Sequence, residues 1–351
     1  MGFNGTTHKT MGTFSCVSNC FCYSGVGYEG VNVMEQPEKL KKYLIQDDKP
    51  RQAIWDSSSL STFSACPRAY NLSNLLGYKL KLYAPVTGFG SAVHDGFEVL
   101  DKGKHEGKSK DESVNKAVTF IIKEYGKDLS QAEDKARGLE AAIRAVVWRA
   151  EEYWEDTLKI ATMPNGAPCL EKRFEVPFGE RGHRFSGRID KIVELNNRLY
   201  LCDTKTTKAS LTDLYFRNFQ PSNQIYAYIW AARFVLGLNI AGFIIDAVQT
   251  GVHFCRFNRS IFNVSKESIL EWYNDAQYHI SLSDAYADNG WYPANFTSCG
   301  NYGGCKFREV CGESPEHRTI LLEEDFIRDP HADLQVDNVI HVPENIFKKK
   351  K

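Results

Sequence analysis

Gly187-Arg188-Ile189-Asp190, followed after a short hairpin by Asp203-Thr204-Lys205, is the stretch on which the reading of this chain turns. Asp190 closes an apolar-alternating run, Arg184-Phe185-Ser186-Gly187-Arg188-Ile189. Lys191 to Leu195 continues it as a strand, Asn196-Asn197 is a turn pair, and Arg198-Leu199-Tyr200-Leu201-Cys202 is the returning strand. Two carboxylates and a lysine are thereby brought to the ends of neighbouring strands. Acids set side by side repel and raise each other's pKa unless a cation sits between them. A divalent metal is the usual solution, and a nearby lysine can then position or deprotonate a water. The arrangement suits metal-assisted hydrolysis of a phosphodiester. Taken alone, acid-x-Lys reads equally as a solvated strand end with a surface ion pair, so other features must decide.

The composition narrows the class. The chain has 351 residues, 42% hydrophobic and 25% charged, an ordinary globular balance, and its length allows one large domain or two small ones. The net charge of -1 gives no global basic field, so any nucleic-acid contact must come from a local groove. There is no run of about 18 apolar residues and no charged segment leading into an apolar one at the start. A cytoplasmic protein with no membrane partner is expected, in a bacterial or phage-infected cell. With 10 cysteines and no export signal, free thiols or metal ligands are expected rather than a disulfide framework.

Residues 1–33 are rich in Gly, Ser, Thr, Asn and Cys and show no helical or strand period, so they read as a disordered tail or as sequence upstream of a true start at Met34. The ordered core is expected from Trp55. Leu60 to Cys66 reads as a short helix with its cap among Ser57-Ser58-Ser59, and Gly88-Phe89-Gly90-Ser91 opens a helix carrying His94 and Glu98. Residues 111–160 form two helices broken near Asp128-Leu129-Ser130. Strands follow at Leu170 to Phe178, Arg184 to Leu195 and Arg198 to Thr206, then a helix from Gln220-Pro221-Ser222 to about Leu236. Ile240 to Gln249 and Val252 to Asn258 read as a hairpin, and Ser265 to Ala287 as a helix. One domain over 34–315 is expected, with 316–351 as a tail whose Lys348 to Lys351 run is a solvated terminus. This order predicts an α/β fold, a mixed sheet flanked by helices.

Three more constellations carry chemistry. Gln224 and Tyr228 share one helix face, able to hold a phosphate oxygen and stack a base, or simply to pack with Tyr226 and Trp230. His94, four residues before Glu98, is either a further metal ligand in the same cleft or a helix-surface histidine. Cys66 lies early, and Cys299, Cys305 and Cys311 lie late as C-x5-C-x5-C in a Gly-rich loop. Four thiolates fit zinc or an iron–sulfur cluster. Cys169, Cys202 and Cys255 fall in or beside strands and read as core thiols.

With these residues in order, the chain resembles the RecB-like branch of the PD-(D/E)xK nucleases that carries an iron–sulfur staple, a group including the AddB nuclease domain and the CRISPR-adaptation exonuclease. Ser58-x-x-x-x-Phe63-x-x-Cys66-Pro67-Arg68-x-Tyr70 is similar to its opening cysteine motif, and Gly90-Ser91-x-x-His94-x-x-x-Glu98 to its histidine motif. Gly187-Arg188-Ile189-Asp190, Asp203-Thr204-Lys205-Thr206 and Gln224-x-x-x-Tyr228 resemble the remaining three. The resemblance implies a restriction-endonuclease-like mixed sheet, with a helical N-terminal part and a C-terminal Cys-rich loop. It implies Mg²⁺ or Mn²⁺ on His94, Asp190, Asp203 and the Thr204 carbonyl, with Asp190, Asp203 and Lys205 catalytic. Gln224 and Tyr228 would hold the DNA strand, and Cys66, Cys299, Cys305 and Cys311 a [4Fe-4S] cluster, with zinc the alternative. The late cysteines depart from the family's C-x2-C-x5-C spacing. With no G-x-x-x-x-G-K-[ST] in the sequence, a stand-alone nuclease is expected, working with a helicase or recombination partner. The implied activity is exonuclease action on single-stranded or frayed DNA ends in repair, recombination or end processing. A structure-specific endonuclease and a non-cleaving nucleic-acid binding module are the alternatives.

Overall fold

The computed structural model describes residues 44–45 and 51–328, apart from 82–86, 164–165, 180–181 and 302–303. The expectations for residues 1–33 and for Lys348 to Lys351 lie outside the described residues.

The centre is the strand β4 (Arg184–Leu195) and its hairpin partner β5 (Arg198–Thr207). Asn196 and Asn197 both sit at positive φ, 51° and 59°. That is the two-residue turn whose twist matches the strands, and Asn tolerates it better than other side chains. β5 runs parallel to β6 (Ile240–Thr250), which pairs antiparallel with β7 (Cys255–Asn263) at the edge. On its other side β4 pairs antiparallel with β3 (Leu170–Pro177), and its first two residues also run parallel to β1 (Ile54–Trp55). The short strand Lys159–Ile160 also pairs antiparallel with β4, which makes a seven-stranded mixed sheet.

Helices cover both faces. α2 (Thr87–His105), α3 (Lys110–Ser130) and α4 (Leu139–Tyr153) pack on one face around Phe89, Val93, Phe97, Ile121 and Val146, with Val248 from β6. α1 (Ser57–Ala65), α5 (Asn223–Trp230) and α6 (Lys266–Asn289) pack on the other, where Phe63, Ile225, Ile229, Trp272 and Ile280 meet Ile189, Leu201 and Ile245. Here Trp55 stacks on Tyr70 at 5.3 Å.

Boundaries differ from the expectation. The helical stretch expected to residue 160 ends with α4 at Tyr153, and Lys159–Ile160 is a strand on β4. Asp56, not a serine, caps α1, accepting from the Ser59 amide at 2.7 Å while Ser59 Oγ accepts from the Asp56 amide. β7 starts at Cys255 because the Gly251 amide donates to the Phe254 carbonyl, which spends Val252 to Phe254 in the turn. The chain beyond 315 does not trail off. α8 (Arg318–Asp325) and β8 (Phe326–Arg328) follow the short α7 (Arg308–Gly312), and β8 pairs with β2 (Tyr78–Leu80). Burial explains the difference: Leu322 and Phe326 pack with Leu72, Leu76 and Phe307, so this segment contributes core.

Candidate active site

β4 and β5 stay paired only from Leu195↔Arg198 to Lys191↔Cys202. Beyond that rung they diverge, and the next two residues in register are Asp190 and Asp203. On the other side of β4, Leu170↔Lys191 and Lys172↔Ile189 place Glu171 opposite Asp190. Three acids therefore lie in one row across three strands. Glu171 has φ 48°, a left-handed conformation that an ordinary side chain adopts at a cost. No short sequence motif singled out Glu171. Its signal lay in the register of β3 on β4, which the sequence shows only once both strands are aligned.

α2 brings His94 to this row. Its Nε2 lies 2.7 Å from Asp190 Oδ2, and its Nδ1 lies 3.7 Å from Glu171 Oε1. Among the described residues, His94, Glu171 and Asp190 offer ligand atoms all within 4.8 Å of one another. This set can hold a divalent cation. Asp190 Oδ2 also accepts from the Thr204 amide at 3.0 Å. Asp203, expected in the ion-binding set, lies next in the row and has Lys205 as its neighbour, with Oδ2 2.6 Å from Nζ. Lys205 Nζ donates to Gln224 Oε1 at 3.0 Å, and Gln224 Nε2 reaches Tyr228 Oη at 3.4 Å. Tyr228 is buried against β4, where a side chain on Gly187 would meet its ring at 2.7 Å. The glycine of Gly187-Arg188-Ile189-Asp190 thus makes room for the helix face that carries Gln224.

The electrostatics suit a cation site. Burial raises Asp203 to about 6, against the pull of Lys205 and with the help of Asp190. Burial likewise raises Glu171 to about 7, although Arg188 lies 2.8 Å away. Burial pushes Asp190 up too, but the hydrogen bond and charge of His94 and the Thr204 amide hold it below the usual carboxylate value. For His94, burial would lower the pKa, and Asp190 more than reverses it. One carboxylate kept ionised beside two that resist ionisation is a strongly coupled cluster.

The sequence matches the PD-(D/E)XK nuclease superfamily over residues 56–312. The chain belongs to that superfamily. Nucleases of this family use divalent metals, and the row of acids in this PD-(D/E)XK domain offers a place for one. Among solved structures, the chain is similar to a candidate exonuclease from Eubacterium rectale, with 13% identity, 69% of this chain and 84% of that one covered, and a TM-score of 0.40. It is also similar to SSO0001, at 14% identity, 78% and 93% coverage and a TM-score of 0.33. No curated protein matches the chain.

The cysteines expected as a second metal centre lie where the two ends of this nuclease domain meet. The Asn295 amide donates to Cys66 Sγ at 3.4 Å, the Arg68 amide to the Pro293 carbonyl at 3.1 Å, and the Cys305 amide to the Cys299 carbonyl at 2.9 Å. Burial raises the Cys305 thiol, and the charges of Cys299, Cys311 and Cys66 raise it further. All four thiols are half-buried and free of disulfides. Cys169, Cys202 and Cys255 are buried in the core, and burial pushes Cys202 up to about 12 and Cys255 to about 11. Such thiols are inert. Among the described residues no helix is long and apolar enough to cross a membrane.

Proposed function

We propose that this chain is a Mg²⁺- or Mn²⁺-dependent deoxyribonuclease of the RecB-like branch, acting as an exonuclease on single-stranded or frayed DNA ends in repair, recombination or end processing. The observation that carries the reading is the row Glu171–Asp190–Asp203, with His94 on one acid at 2.7 Å and Lys205 on another at 2.6 Å.

His94, Asp190 and Glu171 would hold the ion, with Asp203 and the Thr204 carbonyl completing its sphere. When bound, the ion neutralises charge on the scissile phosphate and lowers the pKa of a water. The protein's own contribution is placement. Lys205, shared between Asp203 and Gln224, presents its ammonium where the attacking water would stand, and there it orients that water and offsets negative charge developing on the phosphate. Gln224 fixes Lys205 and is itself fixed by Tyr228, so the two residues act on the strand from one helix face.

A single [4Fe-4S] cluster on Cys66, Cys299, Cys305 and Cys311 belongs to the same reading. What supports this is the seam itself: the Asn295 amide donates to Cys66 Sγ and the Cys305 amide to the Cys299 carbonyl, which ties the early and late cysteine segments to one place.

The test is digestion of end-labelled linear and closed circular single-stranded DNA with Mg²⁺, with Mn²⁺ and with chelator, comparing wild type with Asp203→Ala. Metal-dependent loss of the linear strand alone, abolished in the variant, is expected. Cutting of the circle would make the protein an endonuclease, and no cleavage under any metal would remove the catalytic reading.

A further inference from the structure

A cavity of about 280 Å³ lies between α2, α4 and the sheet. Strand alternation sets it on the opposite side of the sheet from Lys205. Asp246 pairs in register with Thr204, between the positions of Asp203 and Lys205; along α2, Asp101 on the cavity lies about two turns beyond His94.

The floor is a charge cluster. Asp246 is buried and meets Arg149 Nη2 at 2.7 Å, Arg259 Nε at 3.2 Å and Lys191 Nζ at 3.7 Å. Lys191 also meets Asp101 at 2.9 Å, and Arg259 pairs with Asp156. Three cations face three acids, so the floor is neutral. Lys104 and Lys159 on the cavity lining then add positive charge, and the lining offers no further carboxylate.

Arg149 supplies a second, independent observation. It lines the cavity, is 5% exposed, and stacks over Phe97 at 4.3 Å. Its Nη2 is spent on Asp246, while its Nη1, also buried, has no hydrogen-bond partner. A buried guanidinium donor without an acceptor is costly, and an anion in the adjoining cavity offsets part of that cost through its charge. Beside these charges the lining is aromatic and apolar, with Tyr153, Trp154, Leu158 and Ile160.

We propose that this cavity is a second anion site, separate from the acid row, which takes a phosphate monoester carried on a nucleoside-sized body. Its volume is at the small end for ligand pockets and suits one nucleotide rather than a duplex. The phosphate sits by Lys104, Lys159 and Arg149, and the base lies on the Tyr153 and Trp154 side. A free mononucleotide and the phosphorylated end of a strand share this chemistry. The proposal holds whether or not the acid row cleaves DNA.

The experiment is calorimetric titration of the full chain, in chelator, with deoxyadenosine 5′-monophosphate, deoxyadenosine and inorganic phosphate. The monophosphate is expected to bind wild type and Lys205→Ala alike, and deoxyadenosine at least about tenfold more weakly. Lys104→Glu with Lys159→Glu, both changes on the lining, is expected to weaken the monophosphate at least about tenfold. If that pair fails to fold, Lys159→Glu alone, at an exposed position, is expected to lower affinity measurably. A 5′-phosphorylated tetranucleotide that displaces the monophosphate from Lys205→Ala identifies the strand end as the source; failure to displace it identifies the free nucleotide. No binding of the monophosphate at millimolar concentration overturns the proposal. So does binding indifferent to the lysine reversals but lost in Asp203→Ala.

Discussion

Lys205 Nζ stands 2.6 Å from Asp203 Oδ2, and the pair is held beneath the helix that carries Gln224. Each group has a second task. Asp203 is driven up by burial, and Lys205 is the nearest charge that resists the shift. Lys205→Ala is expected to lower the cleavage rate by about 10²–10³-fold or more, the scale on which loss of one positioned donor is felt. The Tm should stay within a few degrees, because the lysine is partly exposed. End-labelled digestion beside circular dichroism melting checks both. Cleavage at the wild-type rate would take Lys205 out of the mechanism.

The raised acids make a signed prediction about pH. Asp203 at about 6 and Glu171 at about 7 in the folded chain compare with roughly 3.9 and 4.3 in an unfolded one. The folded state therefore binds more protons across that window. These two acids contribute stability in acid that is lost as pH rises through their folded pKa values. A divalent cation binds the ionised form, so its stabilisation should grow over the same window. Melting with and without excess Mn²⁺ is expected to show a gap that widens from about pH 5 to 8. Glu171→Gln should narrow it. A gap flat with pH would show that these carboxylates do not hold the ion.

Much of this site was legible in the sequence because it is built from local signals. The turn pair Asn196-Asn197 fixes the hairpin, and the hairpin fixes which residues of β4 and β5 are opposite. That brought Asp190, Asp203 and Lys205 together, and the accompanying motifs in order gave them their roles. Glu171 was not among them, because its place depends on how β3 registers with β4, and its left-handed backbone breaks the strand pattern that would have drawn attention to it. The ordered segment to Arg328 was missed for a related reason. Its apolar residues, Leu322 and Phe326, are sparse and become core only against Leu72 and Leu76, some 250 positions earlier. The charge cluster under Asp246 was equally silent, since Arg149, Lys191 and Arg259 come from three separate elements.

That cluster yields a stability prediction. Burial would raise the Asp246 carboxyl, but Arg149, Lys191 and Arg259 hold it far below the usual range. Its contribution is therefore present above the unfolded pKa and lost as pH falls through the acid region. Asp246→Ala leaves three cations around an empty place and is expected to cost about 3–5 kcal/mol. Urea denaturation at neutral pH measures it. A loss below about 1 kcal/mol would mean that water or Asp101 and Asp156 replace the missing charge.

The cysteines give the last test, because they lie where the two ends of the domain meet. Cys66 follows α1, while Cys299 and Cys305 lie in the late loop and Cys311 on α7, a segment that packs on Leu72 and Leu76 through Phe307 and Val310. A cluster held by all four would staple those segments, so its loss should be felt as unfolding of the seam before the sheet. Protein purified without oxygen is expected to be brown, with broad absorbance near about 400 nm and about four irons per chain. Cys66→Ser should lose the colour, lower the Tm by several degrees, and open the late segment to protease ahead of the strands. The acid row lies on other elements, so residual metal-dependent cleavage should persist at low temperature. Colourless wild-type protein with stoichiometric zinc would replace the iron with a single ion held by the same thiolates.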